Sequence, residues 1–270
     1  MPLITDIAQC PLPGPALRTV SLVPSITATL HALGLDAQVV GITKFCVHPA
    51  GWLSQKQVVG GTKNLHHDRI ARLKPDLIIA NREENVAEQV LALAEAYPVW
   101  LTDVATLGQS NQMIRQLGKL TGTTRRADLL AGQIEAGFAS LAAMAAPLHH
   151  SSNLPAVLYF IWRKPWMVAG CDTFIHDIIT RTGFTNMMEH LNRYPQLSAE
   201  QLAGLKPAQV WLSSEPYPFG QQHIAELREL LPLAQFRLVN GEYFSWYGSR
   251  MLSAVPYLAS LLTHSPGSTG

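Results

Sequence analysis

The chain contains a second copy of one of its own segments. The passage DRIARLKPDLIIANRE (Asp68–Glu83) aligns without a gap with EQLAGLKPAQVWLSSE (Glu200–Glu215). In both copies a helical pattern ends at a Lys-Pro pair and an apolar run of strand length follows, because proline cannot continue a helix and disfavours helix at the residue before it. Two copies of this size predict two similar lobes rather than a solenoid of many repeats.

Strand and helix patterns alternate in the same order in both halves of the chain. Apolar runs of strand length are followed by helical stretches that end near a glycine. The matching segments are Thr19–Val23 with Ala156–Ile161, Pro24–His31 with Asp172–Gly183, and Val99–Thr102 with Phe236–Val239. Continuous apolar strands are buried on both faces, as in parallel sheets covered by helices on each side. The sequence therefore predicts the α/β class with mainly parallel sheets.

Between the two copies lies Thr123–Pro147, a stretch rich in strong helix formers with no proline before its end. We interpret it as one helix of about 23 residues, roughly 35 Å long, that links the lobes. Two shorter helices broken at Gly132 or Gly137 are the alternative. A length of 270 residues suits two domains. We expect an N-terminal lobe over 1–122, a linking helix over 123–150 and a C-terminal lobe over 151–270.

Composition excludes several classes of protein. Hydrophobic residues make up 47% of the chain and charged residues 14%, which is typical of a globular protein with a large core. The net charge is +1, from 20 basic and 19 acidic residues without a basic stripe, so no nucleic-acid partner is expected. No continuous apolar run approaches the roughly 20 residues that cross a bilayer, so no membrane span is expected.

The N-terminal segment MPLITDIAQCPLPGP lacks the positive start and the apolar stretch of about 7 to 15 residues that mark a secretory signal. As written, the chain is therefore expected to be cytoplasmic. Cys10 follows no hydrophobic segment, which argues against a lipid-anchored cysteine. Because Cys10, Cys46 and Cys171 are far apart and odd in number, no disulfide framework is expected.

The loops after the predicted strands are the candidate binding segments. In open parallel sheets, ligands bind beyond the carboxyl ends of the strands, where loops and helix N-termini offer unpaired N–H groups. We expect these loops to face one another across a cleft between the lobes. The candidates are Pro24, Ser25, Phe45, Cys46, Asn81 and Arg82 in the first half, and Trp162, Trp166, Glu215, Tyr217, Tyr243, Phe244, Trp246 and Tyr247 in the second.

Aromatic residues are concentrated in the second half, which holds four of the six tryptophans and six of the seven tyrosines. Flat side chains with a polar tip suit a large, flat, partly polar ligand such as a corrinoid or an aromatic chelate. We expect Trp162, Trp166, Tyr243, Trp246 and Tyr247, which lie among Gly, Pro and Ser residues, to be exposed and to contact the ligand. The alternative is that these aromatics form core, as we expect for Trp211 inside a strand.

Cys46 and His48 are candidate metal ligands. A thiolate and an imidazole two residues apart can share a metal ion, and His66-His67-Asp68 adds nitrogen and oxygen donors. In an extended loop, however, residues two apart point the same way, so both side chains can instead line the cleft or pack. The sequence leaves these alternatives open.

Motifs of common enzyme classes are absent from the sequence. The chain has no GxSxG, HExxH, GxxxxGK[ST] or GxGxxG pattern. Cys46 and His48 are too close in sequence to form a nucleophile and base with a third orienting group. We therefore expect a binding protein and not an enzyme.

Several longer passages resemble the substrate-binding proteins of ABC importers that carry cobalamin, haem and iron chelates. They are RTVSLVPSITATLHALGLDAQVVG (Arg18–Gly41), DRIARLKPDLIIANRE, the linking helix and GCDTFIHDIITRTGFTN (Gly170–Asn186). The resemblance runs from about Thr19 to Leu262 and is nearest to the cobalamin-binding branch of this helical-backbone, type 2 periplasmic binding protein family. It implies two α/β lobes joined by one long helix, and capture of a metal chelate such as cobalamin for import.

The resemblance also implies individual residues and partners. Arg250, in YGSRML, matches an arginine that the family uses near the ligand. Family members dock on the membrane subunits of an ABC transporter through acidic residues of each lobe, for which Glu88 and Glu226 are the candidates; an ordinary solvated helix face is the alternative. The chelate is cargo, so no intrinsic cofactor is expected, and we expect a monomer. The family implies the periplasm if the native start lies upstream.

Two departures from the cobalamin-binding branch keep the ligand open. Lys63 and Asn81 stand where that branch is expected to carry aromatic residues. The alternative function is a cytosolic enzyme or sensor that handles a corrinoid or metal chelate on the same fold. Turnover of a bound corrinoid would favour this alternative, and reversible binding without product would favour the binding protein.

Overall fold

A computed structural model describes residues 3–10, 12–149 and 155–263. The described chain divides into two compact units, called unit 1 and unit 2. Unit 1 contains the described residues up to Val104, together with Gly108–Ile134 and Tyr247–Arg250. Unit 2 contains Ala105–Leu107, the described residues of Glu135–Trp246, and those from Met251 onward. The chain therefore enters unit 1 a last time at Tyr247, a crossing that a lobe boundary near residue 150 does not anticipate.

Unit 1 is built on a parallel sheet. Its strands, among the described residues, are β1 (Leu3–Ile4), β2 (Thr19–Ser21), β3 (Val39–Ile42), β4 (Gln57–Val58), β5 (Leu77–Asn81) and β6 (Val99–Thr102). They are ordered β1-β6-β5-β2-β3-β4, and every pairing is parallel. The helices of this part of the chain are α1 (Pro24–Ala32), α2 (Trp52–Gln55), α3 (His67–Leu73), α4 (Ala87–Ala94) and α5 (Leu107–Thr121), with a 3-10 turn at Ile7–Gln9.

Unit 2 is built on a mixed sheet. Its strands, within the described chain, are β7 (Ala156–Trp162), β8 (Trp166–Val168), β9 (Thr185–Asn186), β10 (Gln196–Leu197), β11 (Gln209–Ser213) and β12 (Gln235–Val239). The order is β10-β8-β7-β11-β12, with β9 beside β7; β8 runs antiparallel to its neighbours and the other pairings are parallel. The later helices are α6 (Thr124–His149), α7 (Phe174–Arg181), α8 (Ala199–Ala203), α9 (Gln221–Leu230), α10 (Glu242–Ser245) and α11 (Arg250–Thr263).

The internal repeat is reproduced in the structure. The two aligned apolar runs form β5 and β11 over matching residues, and both strands are buried along their whole length. β5 lies between β2 and β6, and β11 lies between β7 and β12. The preceding helices stop before the Lys-Pro pair in both copies, α3 at Leu73 and α8 at Ala203. The prediction of two similar α/β units with mainly parallel sheets is confirmed.

The linking segment forms one continuous helix. α6 has 26 residues, which corresponds to about 39 Å, so the alternative of two shorter helices is wrong. A Cβ at Gly132 would meet no atom within 4 Å, whereas a Cβ at Gly137 would lie 2.9 Å from Cγ2 of Val255 in α11. Gly137 thus allows close helix packing without breaking the helix. The boundary expected at residue 150 lies outside the described residues.

One helix of the described chain has the length and composition of a membrane span. In α6 the segment Thr124–Ala146 passes that test, with an 18-residue window of mean hydropathy 1.4. Charged residues at positions 125, 126, 128 and 135 interrupt the segment, so it contains no continuous apolar run of the roughly 20 residues that cross a bilayer.

Candidate ligand-binding site

Three of the predicted ligand segments lie at the carboxyl ends of strands of unit 1, β2, β3 and β5. Ser25 lies in the first turn of α1, where Pro24 occupies a position that suits its fixed φ and missing N–H. Tyr247 is buried in the same unit, although it comes from the last quarter of the chain. Burial raises the pKa of its phenol, as do the nearby carboxylates Glu84 and Glu83, while hydrogen bonding from the Ser25 and Thr102 side chains acts in the opposite direction. Residues 222 positions apart in sequence are thus brought together.

The loop after β3 presents Phe45 and hides Cys46. Phe45 is 49% exposed, with the ammonium of Lys44 5.1 Å from its ring centroid. Cys46 is 0% exposed, and its Sγ lies 3.1 Å from Oγ1 of Thr27 and 3.2 Å from Oγ1 of Thr43. Burial raises the pKa of this thiol, which disfavours the thiolate that a metal requires. The described residues contain no group of three or more His, Cys, Asp and Glu side chains that could hold a metal ion.

The loop after β5 is organised by Asn81. Its buried amide oxygen accepts the backbone N–H of Glu83 at 2.8 Å and of Glu84 at 3.2 Å, and its Nδ2 donates to the carbonyl of Thr102 at 3.1 Å. The polar atoms of Asn81 are therefore used by the turn, which places Arg82 on the surface. Arg82 forms an exposed ion pair with Asp103, with 3.1 Å between Nη1 and Oδ2.

An open groove of about 470 Å³ lies beside this ion pair in unit 1. Its polar wall includes three glutamines of α5 that the sequence reasoning missed. Their spacing, at positions 109, 112 and 116, is the signal that places them on one helix face. The lining residues are Thr5, Arg82, Trp100, Leu101, Thr102, Asp103, Val104, Gln109, Gln112, Met113 and Gln116.

Adjacent strands of unit 2 bring two predicted aromatics together. β7 and β11 run parallel in register, so their carboxyl ends lie side by side. Trp162 ends β7 and is 39% exposed, and its ring meets the Tyr217 ring edge to face at 5.6 Å. The hydroxyl of Tyr217 lies 3.0 Å from Nε2 of His223 in α9. This pair forms a partly exposed aromatic surface with polar atoms beside it.

Trp166 lies in a core cluster of aromatic rings with Phe160 and Phe219. Trp166 is buried, and its ring is parallel to the Phe219 ring with 6.3 Å between the centroids. The guanidinium carbon of Arg163 lies 4.3 Å from the Trp166 ring centroid. Nε of Arg163 donates to Oε2 of Glu226 at 2.9 Å, and a second hydrogen bond joins its Nη2 to Oε1. A bidentate pair of this kind holds the guanidinium over the indole. The prediction that Trp166 is exposed is wrong.

The loop after β12 is mostly buried. Trp246 is 8% exposed and its Nε1 donates to Oε2 of Glu215 at 3.0 Å, while Oγ of Ser245 donates to the other carboxylate oxygen. Phe244 packs with Tyr159 and Trp211 in the core. The expectation that Trp246 and Tyr247 are exposed loop aromatics is wrong, whereas the assignment of Trp211 to the core is confirmed.

The remaining predicted residues lie on helices. Arg250 is half-buried at the start of α11. Tyr243 lies in α10, and its ring centroid is 5.0 Å from that of Tyr257 in α11. Glu88 is exposed in the first turn of α4, where a carboxylate also complements the helix dipole. Glu226 of α9 is the carboxylate that binds Arg163.

The chain matches the model of the family described as periplasmic binding protein over residues 20–232. It is 26% identical over 258 residues to a vitamin B12-binding protein of Pectobacterium carotovorum subsp. carotovorum, an alignment that covers 93% of this chain and 91% of that protein.

Two solved structures share the fold. The periplasmic vitamin B12 binding protein BtuF of Vibrio cholerae superposes with a TM-score of 0.79 at 22% identity, over 93% of this chain and 98% of that one. A periplasmic heme binding protein from Pseudomonas aeruginosa superposes with the same TM-score of 0.79 at 23% identity, over 92% of each chain. Since the two neighbours are named for different ligands, the likeness in fold does not choose between them.

Proposed function

The chain belongs to the periplasmic binding protein family, and from this membership we propose that it captures a corrinoid, such as cobalamin, for import by an ABC transporter. The chelate is the cargo and not a resident cofactor. The family and both structural neighbours are named as periplasmic, and we propose the same compartment for this protein. Fractionation of native cells, with the protein located by immunoblot, tests the compartment.

The observation that carries the proposal is the partly exposed aromatic pair of Trp162 and Tyr217. Both residues follow parallel strands of unit 2 at their carboxyl ends, which is where open α/β sheets bind ligands. The exposed part of the Trp162 ring, 39% of the residue, offers apolar area to a flat macrocycle. The hydroxyl of Tyr217 lies beside it and can take part in a hydrogen bond. Phe45 of unit 1 adds a further exposed ring among the predicted ligand residues.

The ion pairs of two arginines in the predicted ligand loops favour a corrinoid over an anionic chelate at those positions. The guanidinium groups of Arg82 and Arg163 are each engaged by a carboxylate, Asp103 and Glu226 respectively. Haem propionates and catecholate ferric siderophores carry negative charge, which needs an unpaired cation or costs free energy on burial. The peripheral amides of a corrinoid are neutral and need only hydrogen-bond partners. A ligand with a neutral rim is therefore the better match.

Titration calorimetry with cyanocobalamin, cobinamide, haem and a ferric siderophore tests the ligand. We expect cyanocobalamin to bind with a Kd of about 1 µM or tighter, which corresponds to about −8 kcal/mol. Haem binding tighter than cobalamin would contradict the charge argument. If none of the four ligands gives heat or quenches the tryptophan fluorescence, the proposed chelate-binding function is excluded.

Turnover separates the binding function from the alternative of an enzyme or sensor. Under the proposal, cobalamin incubated with the protein and then released by denaturation is recovered unchanged in mass and in visible spectrum. Conversion of the corrinoid in proportion to time and protein concentration would instead establish an enzyme.

Docking on the importer is proposed to involve Glu88. Its carboxylate is exposed at the start of α4, and rim charges change association without entering a ligand site. Glu88→Lys should abolish capture by the transporter's membrane subunits in a pull-down while the cobalamin Kd stays unchanged. Glu189→Lys, at another exposed acid, is the matched control. Equal capture of both variants would rule out Glu88 as a contact.

A further inference from the structure

Two buried hydroxyls of unit 1 hold consecutive backbone amides of the segment Tyr247–Arg250. Oγ of Ser110 accepts the N–H of Gly248 at 2.8 Å, and Oγ1 of Thr29 accepts the N–H of Ser249 at 3.0 Å. Both hydroxyl-bearing residues are fully buried. The partners are 138 and 220 residues apart in sequence. Short polar side chains of α5 and α1 thus act as a pair of fixed acceptors, called here the hydroxyl clamp.

The orientation of the Thr29 hydroxyl is set by a second hydrogen bond. Its Oγ1 donates to the carbonyl of Ser25 at 2.9 Å, one helical turn earlier in α1. Since a hydroxyl has one proton to donate, the donor side is used and a lone pair is left for Ser249. The clamp is therefore directional, and it connects α1, where Ser25 is a predicted ligand residue, to the segment 247–250.

Gly248 allows the close approach that the clamp requires. Its φ is +88°, a conformation that other residues rarely adopt, and a Cβ there would lie 2.1 Å from Oγ1 of Thr29. The backbone at residue 248 can thus press directly against the Thr29 side chain. This close packing leaves the segment little freedom to shift.

The clamped segment carries two predicted ligand residues, one on each side of the clamped amides. Tyr247 precedes Gly248 and is buried in unit 1, and Arg250 follows Ser249 and starts α11. On the other side of the Trp246–Tyr247 bond the chain belongs to unit 2, where Trp246 binds Glu215. Within unit 1, the two hydrogen bonds of the clamp hold the backbone between Tyr247 and Arg250.

We infer that Thr29 and Ser110 are positioning residues for ligand capture. They act through the backbone of Gly248 and Ser249, which they hold so that the half-buried Arg250 at the start of α11 is preorganised before the ligand arrives. Preorganised groups bind more tightly because less conformational freedom is lost on binding. This inference rests on the proposed chelate-binding function for its ligand part, whereas the clamp itself can be measured without any ligand.

Amide hydrogen exchange measured by NMR tests the clamp directly. In Thr29→Val the amide of Ser249, and in Ser110→Ala the amide of Gly248, should exchange about two- to tenfold faster, the loss expected for one hydrogen bond. Thr29→Ser retains the hydroxyl and should restore protection. Unchanged exchange in both Thr29→Val and Ser110→Ala would overturn the inference, and the two separate sites keep the test decisive if one variant fails to fold.

Titration calorimetry with cyanocobalamin tests the consequence for binding. Thr29→Val and Ser110→Ala should each raise the Kd for cyanocobalamin about two- to tenfold. Thr29→Ser should have a Kd near that of the wild type. Thr182→Val is the matched control, because the buried Thr182 hydroxyl donates to the carbonyl of Ile178 in α7 and makes no hydrogen bond to a distant segment among the described residues, so it resembles the Ser25 bond of Thr29 without the clamp. It should change stability without changing the Kd.

The outcomes separate this inference from the proposed function. If wild-type protein binds cyanocobalamin and both clamp variants bind it equally well, the positioning role is overturned and the function stands. If the wild-type protein binds none of the four chelates, the proposed function fails and the ligand role of the clamp fails with it, even where the exchange measurements show the clamp itself.

Discussion

Nε1 of Trp246 donates a hydrogen bond to Oε2 of Glu215 at 3.0 Å, which joins the loop after β12 to the loop after β11 in unit 2. The other carboxylate oxygen of Glu215 accepts from Oγ of Ser245. One carboxylate therefore satisfies two donors from the neighbouring loop. A glutamine at position 215 has only one oxygen, so its amide would face one of the two donors.

We expect Glu215→Gln to lower the free energy of unfolding by about 1–3 kcal/mol, because a neutral amide with one oxygen replaces the ionised carboxylate that accepts from both Ser245 and Trp246. Urea denaturation followed by circular dichroism measures the loss, and the tryptophan emission maximum reports the changed surroundings of Trp246. Glu242→Gln, at a half-buried carboxylate in the first turn of α10, is the comparison. An equal effect of the two changes would mean that the Glu215 hydrogen bonds contribute nothing specific.

Trp246→Ala should lower stability as Trp211→Ala does. Both indoles are buried, at 8% and 0% exposure, so each truncation removes core contacts and should cost about 3–5 kcal/mol. This differs from the behaviour expected of an exposed loop aromatic, which the sequence predicted for Trp246. Thermal and urea unfolding of both variants measures the change. A Trp246→Ala variant as stable as wild type would contradict the burial of this ring.

Trp162→Ala should weaken cyanocobalamin binding while leaving stability within about 1 kcal/mol of wild type. The Trp162 ring is 39% exposed and lies against Tyr217, so its free face is available to a ligand. Leu238→Ala, at a residue 40% exposed on β12, is the matched control and should leave the Kd unchanged. If both variants bind alike, Trp162 has no part in the ligand site.

Stability should fall as pH rises above about 9 to 10. Burial raises the pKa of the Tyr159 and Tyr247 phenols and of the Cys46 thiol. A neutral acid whose pKa is higher in the folded state contributes stability that is full below its unfolded pKa and is lost above it, because the unfolded chain releases the proton first. Each tyrosine should contribute a slope of about 1.4 kcal/mol per pH unit above about pH 10.

Urea unfolding between pH 7 and 11.5 measures this slope. Tyr247→Phe and Tyr159→Phe should each flatten it, since phenylalanine does not titrate. Tyr97→Phe, at a tyrosine with more solvent access, is the control. A slope unchanged in the Tyr159 and Tyr247 variants would show that their phenols do not control alkaline unfolding.

Glu226→Lys should lower the free energy of unfolding by about 1–2 kcal/mol, a figure kept small because the Glu226 side chain is 40% exposed. The change replaces the bidentate acceptor of Arg163 with a second cation, while Arg163 remains stacked on Trp166. Glu229→Lys, one turn away at an exposed position, should have little effect. Equal melting temperatures for the two variants would mean that the pair with Arg163 does not stabilise unit 2.

Much of the fold could be read from local sequence. The Lys-Pro pairs end α3 and α8, and the apolar runs after them form β5 and β11, because proline geometry and continuous hydrophobicity act within a few residues. The continuous α6 follows from helix formers over more than six turns. The same local rules placed Trp162 and Tyr217 at strand ends, where the structure has them.

The use of each side chain could not be read this way. Asn81 was predicted as a ligand residue, but its amide holds the turn that carries Arg82. Glu226 was predicted as a docking residue, and nothing in the sequence indicated that Arg163, which follows β7, binds its carboxylate. Both outcomes depend on which polar groups meet in space, and a single sequence does not encode that distance.

The sequence by itself determined the α/β class, the internal duplication and the long linking helix, since each depends on residues near one another in the chain. Only the tertiary structure decided that Tyr247 is buried in unit 1 and that Trp246 is bound by Glu215. It also decided that the amides of Gly248 and Ser249 rest on Ser110 and Thr29. The physical reason is that burial and hydrogen-bond satisfaction are set here by partners 31 to 220 residues away, which no local pattern specifies.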